Sequence, residues 1–338
     1  MGTRKRLASR RIGNTSTISD LMQGFQLTVS NVIWDYNRIP DDASDVFWHY
    51  TSRAGFEGIL RSGGLRATYR LDMNDEGEFG YARRIVDQAL DRMRQRSDLP
   101  KVRLSLADTC KINLNRLLNQ SKENSTAYCA CLTVSGDQGK QWRDYADAGK
   151  GIAIGLNMSH ILNAQIQRCQ KGLPYFVLAP VIYEEERQAE LIRRLFEAGI
   201  HDMQRFHAVQ SEDPIQLTAV RNHVTKEVFV QIVARIDFIK HPRYASEREM
   251  RLQPQPNDGT LKARGIQHYE REGKSIPYLF LDLRNPITGR LPLVQITVGP
   301  NASFPEALDF VQHVLDDLGY GSGYFDRPRI LPSRLPGF

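Results

Sequence analysis

The chain lacks any apolar run approaching the roughly 18 residues of a membrane-spanning helix. Cysteines are few, Cys110, Cys129, Cys131 and Cys169, and their spacing fits no zinc site: Cys129 and Cys131 stand too close together and no second pair follows. There is no G-x-G-x-x-G opening a helix after a strand and no G-x-x-x-x-G-K-[ST], so neither a Rossmann nor a P-loop nucleotide site is expected. H-E-x-x-H and G-x-S-x-G are also missing, and with them a zinc-protease helix and a visible hydrolase triad. No RRM, KH, zinc-finger or helix-turn-helix signature is present. The basic start MGTRKRLASRRIG has no apolar segment behind it and lacks the Ser or Thr of a myristoylation signal, so no secretory leader is expected and the cytoplasm is the default location.

What remains is an ordinary globular composition, 41% hydrophobic and 25% charged, with enough chain in 338 residues for a sizeable core. The net charge is +6, with an early excess at Arg4, Lys5, Arg6, Arg10 and Arg11. That balance permits a polyanionic partner without demanding one. Residues 1–20 read as a basic flexible arm.

Periodicity predicts strands over 45–52, 127–134, 151–157, 176–184, 276–283 and 293–300. Cys129 and Cys131 fall on one face of the second of these, as reduced core thiols. Ser52 is placed to cap a helix carrying Phe56, Ile59 and Leu60, which Gly63-Gly64 would end. Further helices are expected near 18–37, from Asn74-Asp75 to about Arg96, over 140–147, through most of 185–235, and from Pro305 to Leu318. Residues 234–241 and 245–253 read as strand-like. Strands and helices alternate without a βαβ rhythm, which argues for the α+β class. The expected organisation is one domain over 21–320 with a helical insertion at 185–233, then a Pro/Gly-rich tail at 321–338.

Four polar groupings interrupt this pattern. They are His49-Tyr50-Thr51 on the first strand, the turn MNDEGEF (73–79), the block from Thr133 to Gly151 with Ser135, Trp142, Tyr145 and Asp147, and EREMRL (247–252). In an extended strand Glu247 and Glu249 would point to one face, where like charges repel unless water, cations or a substrate separate them. Each grouping has a plain structural reading: a satisfied core histidine, turn chemistry, a packed aromatic pair, and acids paired with Arg243, Arg248 or Arg251. Asp72, Asp75 and Glu78 are oxygen donors of the kind that hold a divalent ion, though a surface turn explains them as well, and no metal is assigned.

Taken in order, the blocks HYT, ILRSGGLRAT, MNDEGEF, CLTVS, QWRDYADAGKGIAIGL, IKHPRYASEREMRL and QITVGP resemble the bacterial family known as domain of unknown function 2971, over about residues 47–318. The chain departs from the family pattern in three places: Glu76 for a Pro, Leu132-Thr133 for F-S, and Tyr244 for a Trp. That family is in turn similar to the ADP-ribosyltransferase superfamily. The resemblance implies an α+β fold with a split antiparallel β-sheet core, surrounding helices and a helical insertion. It also implies NAD as substrate and a site spread over three strands, filled here in order by His49, Thr133 or Ser135, and Glu247-x-Glu249.

On that reading Glu249 stabilises the oxocarbenium-like ribose and Glu247 orients or deprotonates the acceptor. Thr133 or Ser135 holds Glu249, and His49 bonds the adenosine ribose or a phosphate. Tyr50 stacks on nicotinamide, with Thr51 beside it, and Tyr145 contributes a contact or wall. Arg66 or Arg251 meets the pyrophosphate. The activity implied is transfer of ADP-ribose to a macromolecular acceptor, protein, RNA or DNA, as in a toxin or anti-phage defence effector with a cognate inhibitor or antitoxin; no membrane partner is expected. The alternatives are an NAD glycohydrolase and a non-catalytic nucleotide- or partner-binding module.

Overall fold

Ser52 and Gly63 bound the helix between them as the sequence predicts. The Ser52 hydroxyl accepts from the Gly55 amide at 3.1 Å, and Gly63 closes the helix at φ 75°, the left-handed conformation that glycine adopts without a Cβ clash. In the computed structural model, residues 31–33, 35–39, 43–69, 76–118, 128–172, 175–208, 214–255, 265–271, 273–321 and 327–337 are described. The basic arm at 1–20 lies outside these residues, as do Asp72 and Asp75 of the acidic turn.

Ten strands of the described residues form one sheet. They are β1 (Val46–Thr51), β2 (Gly64–Tyr69), β3 (Tyr128–Thr133), β4 (Ile152–Asn157), β5 (Tyr175–Pro180), β6 (Glu249–Gln255), β7 (Gln267–Arg271), β8 (Lys274–Asp282), β9 (Leu293–Val298) and β10 (Arg329–Pro332). Their order is β10-β9-β4-β1-β3-β2-β8-β7, with β6 also joined to β3 and β5 lying beyond β6. Every pairing is antiparallel except β9 with β10. Residues 31–33 and 35–37 are helical, within the helix expected near 18–37, and the further helices are α1 (Arg53–Ser62), α2 (Glu76–Gln95), α3 (Val102–Leu118), α4 (Gly139–Tyr145), α5 (Met158–Gln170), α6 (Glu185–Ala208), α7 (Pro214–Ile236) and α8 (Phe304–Asp317). The α+β expectation holds, with a mostly antiparallel open sheet.

Two large cores divide the apolar residues. One lies against the sheet, where Phe56 and Leu60 of α1, Ile161 of α5 and Val311 and Leu315 of α8 cover Phe47, Ile154 and Leu252. The other is helical: Ile85, Val86 and Leu90 of α2 meet Leu106 and Leu114 of α3, Leu195 and Phe196 of α6, and Val224 and Val228 of α7. Thus the helices at 185–236 pack with those at 76–118. A small third cluster joins Trp48, Tyr50 and Trp142, with Leu335 from the C-terminal segment laid on it.

Three expectations are corrected. The 321–338 tail carries a strand, because Arg329–Pro332 pairs in parallel with Gln295–Val298 and Asp137 then takes Ser333 Oγ at 2.6 Å and the Arg334 amide at 2.7 Å. Residues 234–236 finish α7, and only Ile239 forms a bridge, to Ile182. Residues 242–247 form a 3₁₀ turn, with Pro242 at its start. Arg248 is left-handed at φ 43°, and the strand begins at Glu249.

The sheet opens at β3. Residues 130–133 pair with β6, Cys129 and Tyr128 pair with β2, and Thr133 also partners Trp48 of β1. Trp48–Thr133 is the one partner pair that β1 makes with β3, while all six β1 residues pair with β4. Beyond it β1 and β3 part.

Candidate active site

The gap left by that divergence is a cavity of about 570 Å³. Trp48, His49 and Tyr50 line it from β1, Arg66 and Thr68 from β2, and Cys129–Leu132 from β3. Lys140, Gln141, Asp144 and Tyr145 of α4 form another wall, Arg271 stands on β7, and Glu78, Lys240, Tyr244, Glu247, Glu249 and Arg251 complete it. This volume falls in the range of small-molecule and cofactor pockets.

A network of four acids and three cations joins Glu78, Asp144, Glu247 and Glu249 with Lys140, Lys240 and Arg251. The Lys240 ammonium lies 2.6 Å from Glu247 Oε2, 3.1 Å from Glu249 Oε2 and 3.5 Å from Glu78 Oε2. Arg251 Nε donates to Glu249 Oε1 at 2.7 Å, its Nη2 bonds both Glu249 Oε2 and Glu78 Oε1, and its Nη1 bonds the Asp237 carbonyl. Lys140 reaches the other oxygen of Glu247 at 3.3 Å. Glu247, Glu249, Lys240 and Arg251 are all buried. Burying an unpaired charge is costly, and the pairing of acids with cations offsets that cost here.

The charges follow from these contacts. Burial alone would push the Glu249 carboxyl up, but Arg251 and Lys240 outweigh it and hold the group well below the usual carboxylate range. Burial would likewise lower the Lys240 ammonium, but Glu249, Glu78 and Glu247 hold it above its ordinary value. The Cys131 thiol is pushed well up by its hydrogen bond with Cys129, by burial and by the Glu249 charge. It is therefore a weak donor toward Glu249 and not a nucleophile.

His49 Nδ1 lies 3.0 Å from the Cys131 carbonyl oxygen. A carbonyl only accepts, so the proton sits on Nδ1 and Nε2 keeps its lone pair. Burial lowers the ring's pKa, partly offset by that bond, which favours the neutral form. The side chain spans the gap between strands that no longer pair.

The structure brings Glu247 and Glu249 together at the cavity by a route other than strand alternation. Glu247 is not on the strand. It ends the 3₁₀ turn, and the left-handed Arg248 brings it beside Glu249 at Lys240. Thr133 does not bond the Glu249 carboxylate: its hydroxyl donates to the Glu247 carbonyl at 2.8 Å, while Glu249 is its partner across the ladder. Ser135 lends its carbonyl to the Tyr50 hydroxyl at 3.0 Å. Tyr50, which also accepts from the Gln138 amide at 2.9 Å and meets Trp142 edge-on at 4.7 Å, is a buried post for that loop as well as a cavity wall. Thr51 and Ser135 do not line the cavity, whereas Arg66, Arg251 and Tyr145 do. Arg66 stands exposed between Tyr269 and Tyr278, 4.8 and 5.0 Å from their rings. Trp142 is core, its ring nitrogen donating to Asp137 at 2.8 Å.

Lys240, Lys140 and the ionic role of Glu78 were missed. Lys240 lies in the IKH run, whose reading as a strand hid its side chain's destination.

The molecule is thus an α+β protein whose open sheet parts around a buried carboxylate–cation network. A family model described as "Protein of unknown function (DUF2971)" matches residues 141–252, about a third of the chain and less than the 47–318 span expected from the motifs. The matched segment runs from α4 into β6 and holds Tyr145, Lys240, Glu247, Glu249 and Arg251, which supports the resemblance to that family. No curated protein and no solved structure matches the chain.

Proposed function

We propose that the cleft binds NAD and that the protein transfers its ADP-ribose to a macromolecular acceptor. One observation carries this reading: the ionised Glu249 carboxylate lies in the lining of an open cleft whose rim bears guanidinium groups. Three of its hydrogen bonds come from Lys240 and Arg251. The Cys131 thiol beside it stays protonated, so the carboxylate can still accept from a ribose hydroxyl. Arg66 and Arg271 supply positive charge for a pyrophosphate. His49, unprotonated at Nε2, accepts a hydroxyl.

In the proposed reaction the bond between nicotinamide nitrogen and ribose C1′ breaks, and its electron pair leaves with the ring, which becomes neutral. The positive charge that develops on the ribose faces Glu249, already ionised and fixed before the reaction. An acceptor oxygen or nitrogen donates a pair to C1′, and its proton passes to Glu247, whose carboxylate is held by Lys240 and Lys140. Tyr183 accepts from the Glu249 amide at 3.0 Å and Thr133 holds the Glu247 carbonyl, so both acids are fixed from the backbone.

Calorimetric titration tests the first step. NAD should bind the wild-type protein, and Arg66→Ala should weaken binding by about tenfold, the value of one charged contact of about 1.4 kcal/mol. Absence of NAD binding by the wild type would remove this reading.

A further inference from the structure

A second cavity, of about 260 Å³, adjoins the cleft and shares Glu78 and Tyr244 with it. Its other side chains are Tyr81 and Arg84 from α2 and His241 and Arg243 from the turn before β6. Cations and rings alternate along it. Arg84 lies over Tyr81 at 5.1 Å, Arg243 over Tyr244 at 4.5 Å, and the His241 ring packs 4.9 Å from that of Tyr81. Both arginines are exposed. The acid of the lining, Glu78, is engaged by Arg251 and Lys240. The Tyr81 hydroxyl is bonded to Gln188 at 2.9 Å and to Glu185 at 3.2 Å, and its ring remains as wall.

Gly80 borders the same cavity. It lies in α2, exposed and at the cavity, where glycine costs the helix about 0.5–1 kcal/mol relative to alanine. A Cβ there would meet nothing within 4 Å, as at Gly58, so alanine would fit the helix and narrow the cavity's edge.

We infer that this cavity is a binding site for single-stranded nucleic acid, a base lodging against Tyr244 while flanking phosphates meet Arg84 and Arg243. Aromatic faces interleaved with cations suit a strand whose bases are unpaired, and Arg-phosphate contacts are bidentate and sequence-tolerant. The net charge of +6 assists the encounter. Where the cleft acts as proposed above, the strand is the ADP-ribose acceptor, delivered beside Glu78 at the shared wall. That role rests on the NAD reading, whereas the binding does not.

The test is fluorescence anisotropy with labelled mixed-sequence RNA and DNA oligonucleotides of about twelve nucleotides, within the ~4–16 nucleotide span of single-strand sites. It uses the full chain without NAD, across a salt series. Wild type should bind, and Arg84→Ala/Arg243→Ala should bind at least tenfold more weakly. Two lost phosphate contacts should lower the slope of log affinity against log salt by about 1.4, at about 0.7 each. Gly80→Ala should raise the thermal midpoint while weakening binding, a combination that a purely structural glycine does not produce. Equal binding by the variants overturns the inference, as does absence of binding by the wild type. Nucleic-acid binding that depends on Arg84 and Arg243, in a protein that does not bind NAD, would leave this site standing and remove the proposed transferase.

Discussion

Replacing Lys240 by Met probes the ionic network where most of it converges. Met keeps the length of the side chain and removes the ammonium that contacts Glu247, Glu249 and Glu78 at 2.6, 3.1 and 3.5 Å. A unit charge pair about 3 Å apart is worth about 5 kcal/mol gross at an effective dielectric of 20, most of it spent on desolvation. The net cost of breaking a buried pair by removing one partner is about 3–5 kcal/mol. The variant site carries four acids and two cations, so a native carboxyl gains proton affinity relative to the unfolded chain. Folding then takes up a proton, and the deficit shrinks as pH falls, by up to about 1.4 kcal/mol per pH unit. Urea unfolding of both proteins between pH 5 and 8 measures this. A loss under about 1 kcal/mol at pH 7, or a loss independent of pH, would contradict the account of the network.

Three further substitutions have defined outcomes. His49 titrates below its ordinary value of 6.5 in the native state, so the unfolded chain binds the extra proton. Stability is full above pH 6.5 and falls as pH drops below it, with a slope of up to about 1.4 kcal/mol per unit that His49→Gln should lack in urea titrations. Thr133→Val keeps shape but removes the donor to the buried Glu247 carbonyl, and should cost about 1–3 kcal/mol in urea unfolding and lower any turnover. Ala148 is exposed at φ 47°, where a Cβ is unfavourable, so Ala148→Gly should raise stability by up to about 1 kcal/mol, read as an increase in thermal midpoint.

Local chemistry made the scaffold legible and long-range pairing limited what could be read of the site. Ser52 and Gly63 carry their helix boundaries in their own side chains, and the apolar runs of β3, β4 and β9 announce buried strands. α3 was not visible because Leu104 and Ile112 stay exposed on it while Leu106, Cys110 and Leu114 are buried, which blurs the helical stripe. β10 was hidden because a short edge strand bearing Pro332 pairs in parallel and shows no alternation. At the site, Glu249, Arg251 and His49 were legible as residue types. Lys240 was not, since its value depends on Glu78, contributed by a helix far away in the sequence. The Glu247–Glu249 pair was credited to strand alternation, when the left-handed turn at Arg248 produces it.

The most direct test of the central claim is incubation of wild-type and Glu249→Gln protein with labelled NAD and bacterial lysate, with and without nuclease or protease. The account predicts that wild type moves label onto a macromolecule, that nuclease removes it, and that Glu249→Gln transfers none. Intact NAD in every lysate with wild type would contradict it, and so would equal transfer by the variant. Release of free ADP-ribose alone would replace the transferase with a glycohydrolase.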